Sequence, residues 1–311
     1  MQIYNKRHVY GAFIILVLLG IISGLIIAKQ LFLVEKDTED ARFNGARAYR
    51  DIEKQLSFGP RTPGSVGHKK TIQWITDELK NNHWLVSLQQ TEYAGHSITN
   101  VIGKKEFHHN QEAQWIIIGA HYDTRLKADR DKDPTKTVQP VPGANDGASG
   151  VAVLLELARI LPDSLNTNIW LVFFDVEDNG RLEGWDWILG SRTFVAELEG
   201  NPSAAIIVDM VGDKELNLYI EEKSNANLVN SIWKTAAEAG FQQFISRKKH
   251  TLIDDHVPFL EAGIPAVDII DFDYPYWHTT SDTLDKISAE SLEAVGETLL
   301  IWLTNQTGRK D

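Results

Sequence analysis

Two uninterrupted apolar runs, residues 115–120 and 169–174, each stop abruptly at imidazole or carboxylate side chains. A fully buried strand looks like this when its C-terminal end opens into a polar site. Between them, residues 147–161 place Val151, Leu154, Leu155 and Ala158 on one helical stripe. Strand, helix and strand in that order predict a parallel pair with a crossover, and so an α/β sheet. The pattern repeats downstream: strands over 204–210, 216–221, 244–246 and 266–271 alternate with helices over 227–239, 256–262 and 288–303. Upstream, residues 70–81 read as an amphipathic helix with Ser65 as N-cap, and 84–92 and 98–104 as edge strands polar on both faces. The expected fold is a three-layer sandwich around a mixed, mainly parallel twisted sheet, with ligand sites at the strands' C-terminal ends.

The N-terminus adds a separate element. Residues 9–28 carry no charge, enough to cross the roughly 30 Å hydrocarbon layer as a transmembrane helix. Lys6 and Arg7 precede this run and Glu35, Asp37, Glu39 and Asp40 follow it, which orients the N-terminus to the cytoplasm and the remainder outside. A cleaved signal peptide is the alternative, with an unusually long apolar region. The expected organisation is therefore a tip and anchor at 1–34, a helical stalk at 35–57 and a catalytic domain at 58–311.

Composition excludes some chemistry. Lys and Arg total 31 against 43 acidic residues, a net charge of −12, which disfavours nucleic-acid binding. No cysteine is present, so a metal must be held by His, Asp or Glu. Gly143, Gly147 and Gly150 lack the Lys-Ser/Thr of a phosphate loop, so no nucleotide partner is expected; they let the chain turn around Asp146.

Polar clusters fall at strand or helix ends: His121 with Asp123, Asp146, Glu177 with Asp178, Asp209, and His278. The motifs HYD, GANDGASG, FFDVED, VDMVG, DDHVPFLEAGIP and YWHTTSDTLDKI, in this order between residues 58 and 303, resemble the zinc-dependent exopeptidase superfamily. That superfamily holds aminopeptidases and glutaminyl-peptide cyclotransferases. The WHT at 277–279, the GSR at 190–192 and the DDH at 254–256 bring the resemblance closer to the cyclotransferases. It implies one Zn²⁺ on Asp146, Asp178 and His278, with Asp178 standing where many relatives carry Glu. It further implies Glu177 as acid/base, Asp254 and Asp209 in a carboxylate chain with it, and a cis peptide after Asp146. Trp277, Trp185 and Tyr274 would wall the substrate pocket, with core packing as the competing reading for the last two. His121 and Asp209 also match the second metal site of two-zinc aminopeptidases. Three activities follow: cyclisation of N-terminal Gln to pyroglutamate with release of ammonia, hydrolysis by a zinc aminopeptidase, or a non-catalytic ectodomain of the same fold. Peptide or protein N-termini are the expected partners, with the membrane through the N-terminal run.

Overall fold

The computed structural model describes residues 42–106, 115–162, 165 and 167–305. The charge-free run at 9–28 lies outside them, and so does the start of the expected stalk. Among the described residues no helix is long and apolar enough to cross a membrane.

A six-stranded sheet forms the centre. Its members are β1 (Leu85–Tyr93), β2 (His96–Lys105), β3 (Trp115–His121), β4 (Asn168–Phe174), β5 (Ala204–Asp209) and β8 (Ala266–Ile270), in the order β1-β2-β4-β3-β5-β8. The first two junctions are antiparallel and the last three parallel, the mixed and mainly parallel sheet read from the sequence. A separate parallel pair, β6 (Leu218–Ile220) with β7 (Phe244–Lys248), stands apart from it.

Side chains alternate across the sheet. Ile116, Ile118, Leu171, Phe173, Ile206 and Val208 join the larger apolar core. This core includes residues of α1 (Gly45–Leu56), α2 (Val66–Asn81), α3 (Ala148–Ile160), α5 (Ala226–Ala239) and α7 (Ala289–Asn305). Ile117, Val172, Phe174, Ala205 and Ile207 point the other way, onto α4 (Leu189–Ala196) and α6 (Val257–Glu261). Burying both faces of the sheet is what makes its central strands read as continuous apolar runs.

Two expectations are corrected. Residues 45–56 are no stalk: Ala48 and Ile52 of α1 are fully buried, and Gln55 donates to the Ala148 carbonyl at 3.1 Å. Arg159 on α3 bridges Asp51 of α1 and Glu78 of α2, which closes the layer. β2 is an interior strand, whereas β1 is the edge. The polar residues that suggested an edge have internal partners: Asn100 accepts from the Asp175 N–H and donates to the Gly190 carbonyl.

Candidate active site

The parallel junctions bring the C-terminal ends of β4, β3 and β5 side by side, and each end carries acidic or imidazole groups. β3 delivers His121, the turn after β4 delivers Glu177 and Asp178, and β5 ends on Asp209. Asp146 arrives on the loop entering α3, and His278 on the loop after β8. The backbone is strained here: Val176, Met210 and His278 hold φ of 52°, 46° and 58°, the left-handed region that non-glycine residues avoid. Strain of about 1–3 kcal/mol per residue persists only where surrounding structure enforces it, and it gathers at functional sites.

Two groups of candidate ligands share Asp146. Asp146, Asp178 and His278 form one; His121, Asp146 and Asp209 form the other; in each, the ligand atoms lie within 4.8 Å of one another and all residues are buried. His278 Nε2 stands 2.7 Å from Asp178 Oδ1 and 3.7 Å from Asp146 Oδ2. His121 Nε2 stands 3.1 Å from both Asp146 Oδ1 and Asp209 Oδ1. Asp146 Oδ2 and Asp178 Oδ2 are buried without a hydrogen-bond partner. Buried carboxylate oxygens left unpaired are costly unless a cation meets them, so the first group fits a metal such as Zn²⁺ in donor type and in spacing.

Residues outside the expected set hold these groups in place. Asp123 accepts from the Glu177 N–H at 3.0 Å, which fixes the turn after β4. Arg125 donates to the Asp178 and Gly180 carbonyls while paired with Asp129. Arg61, fully buried, donates to the carbonyls of Tyr122, Pro142 and Gly143 and so ties the Asp146 loop to β3. Burial lowers Arg61 to about 10, against the pull of nearby acids. Asp282 accepts from the Asn145 and Asp146 N–H groups and from the Tyr274 hydroxyl at 2.7 Å. Arg61 and Arg125 fall outside any periodic pattern in the sequence. The expected cis bond after Asp146 is absent: every described peptide bond is trans, and the loop turns instead at Gly143 and Gly147, at φ 74° and 90°.

Electrostatically the floor is crowded with carboxyls. Burial pushes Glu177 well above its ordinary 4.5; His121 opposes the rise, and Asp178, Asp254 and Asp255 add to it. Burial likewise raises Asp178 to about 6, Asp209 to about 7, and Asp254 in the same direction. Asp146 goes the other way: despite burial, the hydrogen bond from His121 and the charges of His121, His278 and Arg125 hold it below 3.8. Acids this close share protons.

A cavity of about 340 Å³ opens over the floor, lined by Asp146, Glu177, Asp178, Asp209 and Asp254 below and by Trp187, Trp277, Leu252 and Phe272 on its walls. Trp277 packs on the His278 imidazole at 3.8 Å between centroids, and Trp187 stacks parallel to it at 6.0 Å. Here the expected wall is corrected. Trp185 stacks on His96, outside the cavity, and Trp187 takes its place, two residues further along the same loop. Tyr274 is core: buried, bonded to Asp282 and packed in a cluster with Met210 and Ile270. His256 is fully buried at the N-cap of α6. A larger groove of about 480 Å³, lined by Asp213, Asp271 and Asp285, shares no residue with this cavity.

Residues 100–303 match the sequence pattern of peptidase family M28. The glutaminyl cyclase of Tannerella forsythia is 33% identical and superposes with a TM-score of 0.78, over 85% of this chain and 99% of that one. A Zn-dependent exopeptidase from Parabacteroides distasonis is 31% identical with a TM-score of 0.79, over 85% and 99%. Among curated relatives, aminopeptidase YwaD of Bacillus subtilis is 28% identical over 88% of this chain; the match spans 60% of that protein's length.

Proposed function

Because the chain belongs to peptidase family M28 and is glutaminyl-cyclase-like, we propose that it is a zinc-dependent glutaminyl-peptide cyclotransferase that converts N-terminal Gln to pyroglutamate. The observation that carries this reading is the indole-walled cavity over Glu177, in which Trp277 and Trp187 both face the His278 ring. Such walls suit the aliphatic stem of a glutaminyl side chain and exclude bulk water, which cyclisation does not consume.

Asp146, Asp178 and His278 would hold Zn²⁺, which would polarise the side-chain carboxamide carbonyl. Glu177 takes a proton from the substrate's α-amine as that nitrogen attacks the carboxamide carbon. It then returns the proton to the departing amide nitrogen, which leaves as ammonia. A carboxyl raised by burial is suited to both transfers near neutral pH. Asp254 and Asp209, buried near it, would share protons with it and help keep its proton affinity high. His121 Nε2 lies 3.1 Å from the Asp209 carboxylate, a partner for that oxygen that needs no second ion.

The second reading is a two-zinc aminopeptidase, favoured by one observation: the His121, Asp146 and Asp209 group shares Asp146 with the first. Incubation with a Gln-initiated and a Leu-initiated peptide, with mass analysis, decides between them. Loss of ammonia from the first and an intact second is the expected outcome; free leucine would establish the peptidase instead. For residues 9–28 we propose a single-pass anchor that leaves the catalytic body extracytoplasmic, testable by protease protection in vesicles.

A further inference from the structure

The mouth of the active-site cavity carries two arginines, Arg130 and Arg181, above a floor that is almost wholly acidic. Both are exposed, and among the described residues neither lies in an ion pair with a carboxylate. Four other arginines are engaged with carboxylates: Arg47 with Glu156, Arg125 with Asp129, Arg159 with Asp51 and Glu78, Arg192 with Glu261. Nor are the two spent on the floor. Asp146 and Asp209 face His121, and Asp178 faces His278. The acids flanking Arg130 in sequence are also occupied, Asp129 by Arg125 and Asp131 by the Thr280 and Asp133 N–H groups.

Each arginine is also placed by its surroundings. The Arg130 guanidinium lies over the Trp277 ring at 4.1 Å, and its backbone N–H donates to the His278 carbonyl at 3.2 Å. A guanidinium stacked by its face keeps its N–H edge for a planar anion, with less side-chain entropy left to lose. Arg181 sits at φ 63° on the loop between Asp178 and Trp187. Both residues therefore belong to the two loops that also supply metal ligands and cavity walls.

From this placement we propose that Arg130 and Arg181 form a carboxylate subsite for the portion of the peptide that leaves the cavity. The preferred substrates would carry Asp or Glu immediately after the N-terminal residue, or be dipeptides whose own C-terminal carboxylate reaches the same pair. The inference rests on reading the cavity as the seat of a peptide N-terminus, and not on which bond is then made or broken.

The test uses the full chain loaded with zinc. Gln-Glu-amide, Gln-Gln-amide and Gln-Lys-amide report side-chain charge, and Gln-Ala against Gln-Ala-amide reports the terminal carboxylate. A second set begins with Leu. Exposed ion pairs are worth about 0.2–1 kcal/mol each, so kcat/KM falls about threefold to tenfold from the Glu to the Lys peptide. The preference shrinks with added salt and is lost in Arg130→Gln/Arg181→Gln. If only the Leu set reacts, the cyclase reading fails while the charge series still tests the subsite. Binding of Gln-Glu-amide and Gln-Lys-amide to Glu177→Gln, measured by calorimetry, reads the same preference without turnover. Equal values for the two peptides, or a preference that survives in the double variant, overturns the proposal.

Discussion

Among the three buried trios of acids and imidazole in the described residues, two differ in their access to the cavity. Asp146 and Asp178 line a cavity, His278 packs against its Trp277 wall, and two of the carboxylate oxygens have no partner in the protein. Asp254, His256 and Asp268 are grouped as closely, yet His256 and Asp268 are fully buried and line no part of that cavity. In the second trio both His256 nitrogens and both Asp268 oxygens also lack a hydrogen-bond partner; His256 Nε2 lies 3.2 Å from Glu221, which is itself fixed by the N–H groups of Lys223, Ser224 and Leu252. Burial and the neighbouring acids push Asp268 well above 3.8, which favours its neutral form. Ligand-type residues at ligand-like spacing are thus common to both, and access is what separates them. Asp254 belongs to each, with one side on the cavity.

Substitution of the two imidazoles should divide the trios most sharply. His278→Ala is expected to take bound zinc to background by metal analysis, while His256→Ala keeps it; zinc retained by the first variant would remove His278 from the ligand set. Next come the acids. Glu177→Gln should lower kcat by about 10²–10⁴-fold with zinc content unchanged. Glu221→Gln, in contrast, should leave kcat within a few-fold and cost about 1–3 kcal/mol in denaturant unfolding, since a buried network loses its acceptor. A smaller effect tests the cavity wall: Trp187→Ala should raise KM about tenfold through lost apolar contact, and Trp185→Ala by less than twofold.

The pH responses differ in sign. Glu177 must be ionised to take a proton, so kcat/KM should rise through an acid limb centred above the ordinary 4.5. Asp268 binds its proton more tightly folded than unfolded, so its contribution to stability is present below 3.8 and is lost as pH rises toward its folded value. Thermal melts of Asp268→Asn should show a flatter decline over that interval; an unchanged slope would place the titration elsewhere.

Much of the first trio was legible before any coordinates, because apolar strands that end on acids mark where a parallel sheet must gather them. What was not legible depended on partners distant in the chain. The amphipathic residues 45–56 looked like a stalk because nothing in that stretch announces the surfaces of α3 and α7 that it covers. Asn100 made β2 look like an edge, since a polar residue paired internally has the same letter as one paired with water. Trp185 and Trp187 are two residues apart on one loop, and only the course of its backbone decides which indole enters the cavity. Tyr274 lies four residues before His278 and still turns into the core, bonded to Asp282.

The groups that gather at the strand ends come from positions 121, 146, 178, 209 and 278, so no contiguous fragment contains the pocket floor. An ion that binds only this assembled arrangement adds its binding free energy to that of unfolding. Chelation should therefore lower the melting temperature of the whole body and not of one loop, and occupancy becomes a measure of whether the chain has finished folding.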